Sequence, residues 1–344
     1  MTLREFRCFE SLQYEPGPVL NFITGPNAQG KTSILEAACV LLRLRSPRTT
    51  SAAEMIRFGG TAFALEGMLG GTRLSFTCTP PSRLLKLDGV TQSTTGDYLT
   101  QGKIVWFGTE DLSLVNGSAE RLRKLLDSAG LQLPGSYGLN LKNYERALKS
   151  RNLLLREGKP RKEIEAYNIP LAEAGDRIIA TRRELITALI PLAAGACNTI
   201  SGEKLTLSYL PGATLPMLEA LETSRHEEIR LRQTRVGPQR DNVAIELNGI
   251  PARSFASEGQ CRTIALSLKL AVAALLTSKN RVAPLLLLDD IFGELDPSRR
   301  DALLAGMPPG SQALLSTTDL SGITLPSGSR VHRLEGGVLR SLEG

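Results

Sequence analysis

The chain has 344 residues, of which 42% are hydrophobic, so it can bury one large core or two ordinary ones. Its 41 lysines and arginines exceed its 35 aspartates and glutamates, an excess that permits a polyanionic partner without proving one. The five scattered cysteines and two histidines match no common zinc-site or disulfide spacing. No uninterrupted apolar run reaches the length that spans a bilayer. We therefore expect a soluble, cytoplasmic protein without a zinc site.

The first part of the chain is predicted to consist mainly of strands around one helix. Runs of apolar or alternating residues predict strands at 3–9, 19–24, 62–68, 73–79, 83–87 and 103–107. Pro16, Gly17 and Pro18 predict the first turn, and Asp88 with Gly89 predicts a hairpin turn. The helix is predicted to follow the second strand, from residue 31 to residue 44.

The pattern changes near residue 110. Apolar residues spaced by three and four predict mostly helix from 111 to 235, with one strand at 204–210. Pro160, Pro170 and Pro191 are expected to divide this stretch into separate helices, because proline breaks a helix interior.

Strands and helices alternate again after residue 235. The predicted elements are a strand at 243–247, a helix at 258–278, a buried strand at 284–290, a helix at 298–305 and a strand at 312–317. The economical organisation is one α/β domain built from 1–110 and 236–344, with a mostly helical insertion at 111–235.

The segment after the second predicted strand matches the P-loop pattern at every fixed position. Glycines let backbone N–H groups point at phosphate oxygens, Lys31 places a charge on the β- and γ-phosphates, and Thr32 offers a hydroxyl to Mg²⁺. A chance glycine-rich loop is the alternative, but the flanking strand and helix are the context that the motif requires. We therefore predict that ATP binds here. The predicted nucleotide-binding residues are Gly25, Pro26, Asn27, Ala28, Gln29, Gly30, Lys31, Thr32 and Ser33.

Four consecutive leucines end in Asp289 and Asp290, which supply the acidic half of such a site. Burying a carboxylate at a strand end is costly unless a cation compensates. We predict that Thr32 and Asp289 hold Mg²⁺, and that Asp290 orients or activates the attacking water. Lys31 and Asp290 are thus the predicted catalytic residues. A purely structural strand is the alternative, although two adjacent aspartates would be unusual there.

A third motif, Ser257 to Gln260, precedes the predicted helix at 258–278. Taken alone it has two equal interpretations. Ser257 is either a simple N-cap or part of a helix N-terminus that binds phosphate. The order of the motifs favours the second, since the P-loop is followed by Ser-x-Gly-Gln, then by the two aspartates, then by Gly293 to Asp296.

This order resembles the ABC-type ATPase head that SMC proteins share with DNA-repair ATPases. Nearly the whole chain resembles the RecF family of bacterial recombination mediators. The closest matches are the segments 25–37, 255–263 and 288–300, and looser ones are 108–127 and 237–241. The resemblance implies an α/β fold of the ABC-type P-loop ATPase head, with a mixed sheet and helices and an inserted, mostly helical second lobe.

The resemblance also implies a dimer that is assembled around ATP. Ser257, Gly259 and Gln260 of one copy would cap the γ-phosphate held by a second copy, and Asp296 would lie in a loop that crosses the interface. ATP with Mg²⁺ would close the dimer on DNA at gaps or single-/double-strand junctions, and slow hydrolysis would release it. The implied partners are DNA and RecO- and RecR-like proteins, without a membrane, and the implied roles are gap repair and SOS induction.

Some positions depart from the family's pattern and leave the hydrolysis rate and the dimer contacts open. Gln239 stands where the family usually has His, Glu258 and Cys261 where Gln is common, and Gly293 where Ser is usual. The segment 118–123 lacks the family's paired arginines, and the segment 316–319 has no switch His. Because Lys31, Asp289 and Asp290 are intact, we expect slow, Mg²⁺-dependent hydrolysis.

Positive charge is concentrated in the predicted insertion. Residues 142–162 carry eight basic side chains against two acidic ones, in a chain whose net charge is +6. A solvated helix face is the ordinary explanation of such a run. With few aromatics nearby, the DNA-binding alternative is a salt-sensitive, sequence-independent contact with phosphates, to which Arg182 and Arg183 could add. The candidate DNA-binding residues are Lys142, Arg146, Lys149, Arg151, Lys159, Arg161 and Lys162.

Other classes of protein share parts of this pattern. An ATPase subunit of a transporter has the same head, but its P-loop and signature are closer together than Lys31 and Ser257, and it carries a switch His. The length excludes a long coiled-coil SMC protein. A non-hydrolysing nucleotide-sensing scaffold is opposed by Asp289 and Asp290 without being excluded, and a phosphotransferase would give the Ser-x-Gly-Gln segment no role.

Overall fold

The computed structural model describes residues 1–320 and 323–342, apart from the side chains at 293 and 294. The chain forms two compact units. The first comprises Met1–Thr109 and Val272–Gly344, so both ends of the chain contribute to it, and the second comprises Glu110–Ala271.

The first unit contains two six-stranded sheets. Its strands are β1 (Thr2–Phe6), β2 (Phe9–Gln13), β3 (Leu20–Thr24), β4 (Phe63–Leu69), β5 (Thr72–Thr79), β6 (Ser82–Leu87), β7 (Val90–Thr91), β8 (Ile104–Phe107), β12 (Leu285–Leu288), β13 (Ala313–Thr317), β14 (Arg330–Glu335) and β15 (Val338–Leu342). Its helices are α1 (Lys31–Arg43), α2 (Gly96–Thr100), α11 (Ile291–Glu294) and α12 (Pro297–Ala305).

One sheet is antiparallel and the other is mixed. The antiparallel sheet has the order β2-β1-β4-β5-β6-β7. The mixed sheet has the order β15-β14-β3-β13-β12-β8, with β15 antiparallel to its neighbour and the other five strands parallel. The carboxyl ends of β3, β13 and β12 therefore lie side by side at one edge, where ligands bind in open α/β sheets. This α/β architecture with a mixed sheet confirms the predicted fold class.

Helix α1 is enclosed by the core of the first unit. All of its residues except Thr32 and Arg43 are buried, which is typical of a helix that is apolar on every side. Its side chains form one cluster with Phe76 of the antiparallel sheet and Leu314 of the mixed sheet. The two sheets thereby fix the start of α1, where the P-loop ends.

The termini of the first unit differ from the prediction. The single strand expected at 3–9 is a tight hairpin of β1 and β2, in which Phe6 pairs with Phe9. Glu5 and Arg7 adopt positive φ angles of 50° and 55° to make this turn without glycine or proline, so the turn carries no strong sequence signal. Strands β14 and β15 were not predicted either.

The second unit is mostly helical and contains one antiparallel sheet of order β11-β10-β9. Its elements are α3 (Ser113–Asn116), α4 (Ala119–Gly130), α5 (Tyr137–Arg156), α6 (Arg161–Glu165), α7 (Asn168–Ser201), β9 (Leu205–Leu210), α8 (Met217–Leu231), β10 (Asn242–Leu247), β11 (Ile250–Pro251), α9 (Ala252–Phe255) and α10 (Glu258–Asn280), whose last residues belong to the first unit. Because β10 pairs with β9 along its whole length, this unit extends past the predicted insertion at 111–235.

Proline does not divide the longest helix as predicted. Pro191 lies inside α7, a helix of 34 residues, and Pro170 lies in its first turn, where the missing N–H costs little. An interior proline costs roughly 3 kcal/mol, and buried apolar residues on both sides of Pro191, such as Leu189 and Ala193, offset that cost.

Two described helical segments, within Arg161–Ser201 and Glu258–Asn280, are long and apolar enough to cross a membrane by length and composition alone. In the second, 72% of the apolar window is buried inside the protein, as in the core helix of a folded domain.

Candidate functional site: a P-loop facing two aspartates

The P-loop joins β3 to α1 in a conformation that depends on glycine. Gly25 and Gly30 have φ angles of 143° and 102°, which L side chains rarely adopt. A Cβ at Gly25 would collide with the carbonyl oxygen of Leu334, and one at Gly30 would collide with Cys8. No side chain caps the N-terminus of α1, so its first N–H groups suit a phosphate.

The Lys31 side chain lies back across this loop. Its Nζ donates to the carbonyl oxygens of Gly25, at 2.8 Å, and Pro26, at 3.0 Å, and the residue is only 4% exposed. Carbonyl oxygens accept hydrogen bonds from the ammonium group without cancelling its charge. The loop therefore places a positive charge beside helix N–H groups that no side chain caps, and the two together fit the phosphates of a nucleotide.

Thr32 connects the P-loop to the acidic strand end. Its hydroxyl donates to Oδ1 of Asp289 at 2.8 Å, and Ser316 donates to the same oxygen at 2.8 Å. Burial raises the pKa of Asp289, against the opposing effect of these two hydrogen bonds, and the neighbouring Asp290 raises it further. A partly buried carboxylate that is costly to ionise, next to a hydroxyl, is a donor set that fits Mg²⁺.

The described residues contain no group of three or more His, Cys, Asp or Glu side chains placed to bind a metal. A cation at Thr32 and Asp289 would therefore have fewer than three carboxylate, imidazole or thiolate ligands from the described residues, and other oxygens would complete its coordination. This is how Mg²⁺ usually binds, with one or two carboxylates plus water and phosphate oxygens.

A cleft of about 790 Å³ opens beside the P-loop and is lined by residues from it, from Asp290 and from the segment that follows α1. This volume lies in the range of cofactor sites. Arg7 and Arg48 line the cleft and both reach Glu36, Arg7 through two bonds of 2.8 and 2.5 Å and Arg48 at 3.4 Å. Phe58, at its rim, is fully exposed.

No sequence motif predicted a role for these cleft residues. One signal was present, because Glu36 is a lone charge in an otherwise apolar stretch of α1 and such a residue needs a partner. Its partners are supplied by β1's hairpin turn and by the segment after α1, so they could not be assigned without the fold.

The signature segment caps α10 in the second unit. The hydroxyl of Ser257 accepts from the N–H of Gln260 at 3.3 Å, and the side chain of Gln260 accepts from the N–H of Ser257 at 2.9 Å. This reciprocal pair is a capping box, so the simple interpretation of Ser257 holds in this structure. Ser257 is nevertheless exposed, and Phe255 beside it is 71% exposed.

Asp296 caps α12 in the first unit. Its carboxylate accepts from the backbone N–H of Arg299 at 2.9 Å and from its guanidinium at 2.5 Å. The backbone hydrogen bond, followed by the charge of Arg299, holds the pKa of Asp296 below its usual range. The departure from the family's Ser at Gly293 lies outside the part of the chain whose side chains are described, and so does the side chain of Glu294.

The basic segment separates into an exposed face and a buried arginine. Lys142, Arg146 and Lys149 are exposed at spacings of four and three on α5, so they share one helix face. Lys159, Arg161 and Lys162 are also exposed, after α5. Lys159 pairs with Glu157 at 3.6 Å, and Arg161 pairs with Glu165 at 2.5 Å and with Glu222 at 3.7 Å.

Two arginines proposed for the DNA-contacting face are wrong assignments. Arg151 is 2% exposed and forms an ion pair with Glu228 at 2.7 Å, with a further bond to Thr234 at 2.8 Å. Arg182 is also 2% exposed and pairs with Asp127 and Asp241, each at 2.7 Å. Both guanidinium groups are buried and paired with carboxylates, so they are inaccessible to a phosphate backbone.

Gln239, which stands where the family has His, follows Pro238, whose carbonyl oxygen accepts a hydrogen bond from Arg182 in the second unit. Its side-chain oxygen accepts from the hydroxyl of Tyr144, and its amide donates to the carbonyl of Val236 at 2.9 Å. The glutamine side chain thus forms its hydrogen bonds within this unit.

The first unit therefore brings together Lys31, Thr32, Asp289 and Asp290, as the sequence predicted for one half of an ATP site. Ser257, Gly259 and Gln260 belong to the second unit, and their role toward nucleotide stays a prediction.

Comparison with known proteins supports this interpretation of the site. A family description named AAA domain matches residues 1–73. The DNA replication and repair protein RecF of Streptococcus suis is 33% identical over 360 residues, covering 100% of this chain and 99% of that protein. RecF of Thermosynechococcus vestitus is 37% identical, covering 94% of this chain and 91% of that protein.

Solved structures of RecF are also similar to this chain. The recombination mediator protein RecF with ATP, in the RecFOR pathway, superposes with a TM-score of 0.89 at 29% identity, covering 99% of this chain and 96% of that one. An Smc head bound to the C-terminal winged-helix domain of ScpA superposes with a TM-score of 0.56 at 14% identity, covering 99% of this chain and 95% of that one, and shows a shared fold alone.

Proposed function

Since the chain belongs to the RecF family of DNA replication and repair proteins, we propose that it is a recombination mediator whose grip on DNA is switched by ATP. The observation that carries this proposal is the contact between Thr32 and Asp289, at 2.8 Å. It joins the phosphate-binding loop to the acidic strand end and so completes the half of an ATP site that one chain can supply.

The residues of this half-site have distinct roles. Gly25, Gly30 and the N-terminus of α1 bind the phosphates, and Lys31 adds a positive charge to them. Thr32 and Asp289 would hold Mg²⁺, which neutralises charge on the β- and γ-phosphates. Asp290 orients the attacking water. Because the chemistry releases the dimer and makes no product for another enzyme, a slow rate is sufficient.

The second half of the site comes from a second copy. Ser257, Gly259 and Gln260 lie at the exposed N-terminus of α10, whose N–H groups and dipole favour an anion. In the dimer these residues cap the γ-phosphate bound to the partner's P-loop, and Asp296 lies at the interface. ATP then acts as a ligand that binds only the closed dimer well, which shifts the population toward it.

DNA lies against the exposed basic face of α5 formed by Lys142, Arg146 and Lys149, with Lys159 and Lys162 nearby in sequence. Long basic side chains without aromatic neighbours contact phosphates and carry little sequence information. We propose gaps and single-/double-strand junctions as the DNA substrates, RecO- and RecR-like proteins as partners, gap repair and SOS induction as roles, and the cytoplasm as the location.

Sedimentation of the purified protein with and without ATP and DNA tests this proposal. We expect a monomer without nucleotide, a dimer with ATP and Mg²⁺, and a larger complex when gapped DNA is added. A protein that stays monomeric with ATP under all of these conditions contradicts the proposed ATP-dependent dimer. Dimerisation without any effect of DNA favours a different ATPase assembly.

A further inference from the structure

The hydroxyl of Ser316 lies between the two aspartates of the site. Ser316 is on β13, the strand between β3 and β12 in the mixed sheet, and it is completely buried. Its Oγ is 2.8 Å from Oδ1 of Asp289 and 3.4 Å from Oδ1 of Asp290, and it accepts from the backbone N–H of Asp290 at 2.9 Å. One side chain thus contacts both carboxylates and the backbone of the second.

A serine hydroxyl has one hydrogen to donate and can accept two. The N–H of Asp290 occupies one acceptor position, and the single hydrogen goes to one carboxylate at a time. At 2.8 Å the bond to Asp289 is of normal length, whereas 3.4 Å to Asp290 is long. The hydroxyl therefore fixes Asp289 directly, while it fixes Asp290 mainly through its backbone.

The contact with Ser316 supports the backbone conformation of Asp290. Its φ is 54°, in the left-handed region that is uncommon for residues other than glycine. This conformation turns the chain from β12 into α11 and sets the direction in which the Asp290 side chain leaves the backbone. Thr32 bonds to Asp289, whereas Ser316 bonds to the N–H of the strained residue.

We propose that Ser316 is the positioning residue for Asp290 in ATP hydrolysis. It holds the left-handed backbone of Asp290 so that the carboxylate faces the attacking water, and it holds Asp289 in register through the same hydroxyl. This inference rests on the proposed function, because it assigns Asp290 the role of orienting that water.

The test compares full-length Ser316→Ala and Ser316→Thr with the wild type. Steady-state hydrolysis gives kcat and KM, and a fluorescent ATP analogue titrated without turnover gives the affinity. We expect Ser316→Ala to lower kcat by about tenfold to a hundredfold, which is less than the roughly hundredfold or more that a whole general base supplies. Because the same hydroxyl bonds Asp289, affinity should also fall, but by a smaller factor than kcat. Ser316→Thr keeps the hydroxyl and should recover most of kcat.

Ser311 supplies a matched control. It precedes the same strand, is buried, and its hydroxyl has no hydrogen-bond partner in the described structure. Ser311→Ala therefore removes a buried hydroxyl from the same unit without touching either aspartate, and it should leave kcat unchanged. Thermal unfolding of each variant separates a folding defect from a change in the site.

A double mutant distinguishes positioning from a separate effect. If Ser316 acts through Asp290, adding Ser316→Ala to Asp290→Asn should change single-turnover hydrolysis little beyond Asp290→Asn alone.

The ATP-bound dimer of Ser316→Ala should also last longer. Its lifetime, measured by sedimentation or mixing, should lengthen by the same factor by which the substitution lowers kcat.

Three results overturn the inference in distinguishable ways. A wild-type protein that does not hydrolyse ATP removes the hydrolysis step of the proposed function and the inference with it. Normal hydrolysis in the wild type together with an unchanged kcat in Ser316→Ala removes only the inference. A loss of ATP affinity equal to the loss of kcat shows that Ser316 supports nucleotide binding rather than the orientation of Asp290.

Discussion

Lys31 is held by the P-loop more tightly than its flexible side chain would suggest. Its ammonium group bonds to two carbonyl oxygens of the loop and is nearly excluded from solvent. A guanidinium group is planar and larger, so it cannot replace a compact ammonium in this position. The role of Lys31 therefore depends on its shape as well as on its charge.

Replacing Lys31 with Arg should weaken ATP-dependent dimerisation and DNA binding together. We expect the ATP concentration that is needed for half-maximal dimerisation to rise by at least about tenfold, which corresponds to roughly 1.4 kcal/mol, as measured by sedimentation. Lys124→Arg, on the exposed surface of α4, is the control and should have no effect. Unchanged dimerisation of Lys31→Arg would show that ATP does not close the dimer through this loop.

Arg151 illustrates how burial changes the meaning of a charge. It lies two positions after Lys149, and two residues correspond to more than half a turn of α-helix. It therefore points into the second unit, where it meets Glu228 and Thr234. A run of basic residues predicts a charged segment, but the helical period decides which members of the run reach solvent.

Arg151→Ala should destabilise the protein by about 3–5 kcal/mol, because it leaves the buried carboxylate of Glu228 without its partner. Chemical denaturation monitored by circular dichroism measures this loss. Lys149→Ala, on the same helix but exposed, should change stability by less than about 0.5 kcal/mol. Equal stability of the two variants would contradict the buried ion pair.

At the scale of elements, α5 offers a basic face that DNA can approach. Lys142, Arg146 and Lys149 are exposed along it, and each side chain that contacts a phosphate releases about one counterion when DNA binds. The number of contacts can therefore be counted from the salt dependence of the affinity.

Changing Lys142, Arg146 and Lys149 to Gln should reduce the slope of log affinity against log salt by about two to three. Fluorescence anisotropy with a gapped duplex at several salt concentrations measures the slope. Arg73, Arg83 and Arg230, which are exposed on other elements, form the control set with the same change in charge. A slope that falls only for the control set would place the DNA-binding surface elsewhere.

Elements whose pattern is local agree with the prediction. The four leucines of β12 form a continuous apolar run, and β3 and α1 are mostly apolar, as burial on all sides favours. The β1–β2 hairpin and β14 with β15 lack such patterns. Their formation depends on pairing with strands that are distant in the sequence, such as β14 with β3.

At the scale of the whole molecule, the proposed site is complete only when two copies meet. Within one copy the Ser257 hydroxyl caps α10 as an acceptor, which leaves its hydrogen to donate to a phosphate oxygen of the partner's nucleotide. The dimer should therefore be sensitive to changes at this exposed turn that leave the P-loop untouched.

Ser257→Arg should block ATP-dependent dimerisation while the monomer still binds ATP. The large side chain obstructs the face that meets the partner's nucleotide, whereas Lys31 and Thr32 remain intact. Sedimentation reports the dimer, and a fluorescent ATP analogue reports binding to the monomer. Ser254→Arg places the same charge three positions earlier, on an exposed residue, as the control. Loss of ATP binding by the Ser257→Arg monomer would show that this residue acts within its own chain.

The sequence by itself determined the ATP-binding half of the proposed site, because phosphate binding depends on a short contiguous loop. Glycines at 25 and 30, followed by Lys31 and Thr32, permit few other structures between a strand and a helix. The two aspartates after four leucines added the acidic component for the same reason. Membership of the RecF family followed from the order of such motifs along nearly the whole chain.

Only the tertiary structure decided which charges are available and how the aspartates are held. Glu36 and Arg151 find partners far away in the sequence, and no local pattern encodes such pairing. Ser316 comes beside Asp289 and Asp290 because β13 lies next to β12 in the sheet. Burial and proximity are properties of the folded chain, so the residues that orient the site became visible only there.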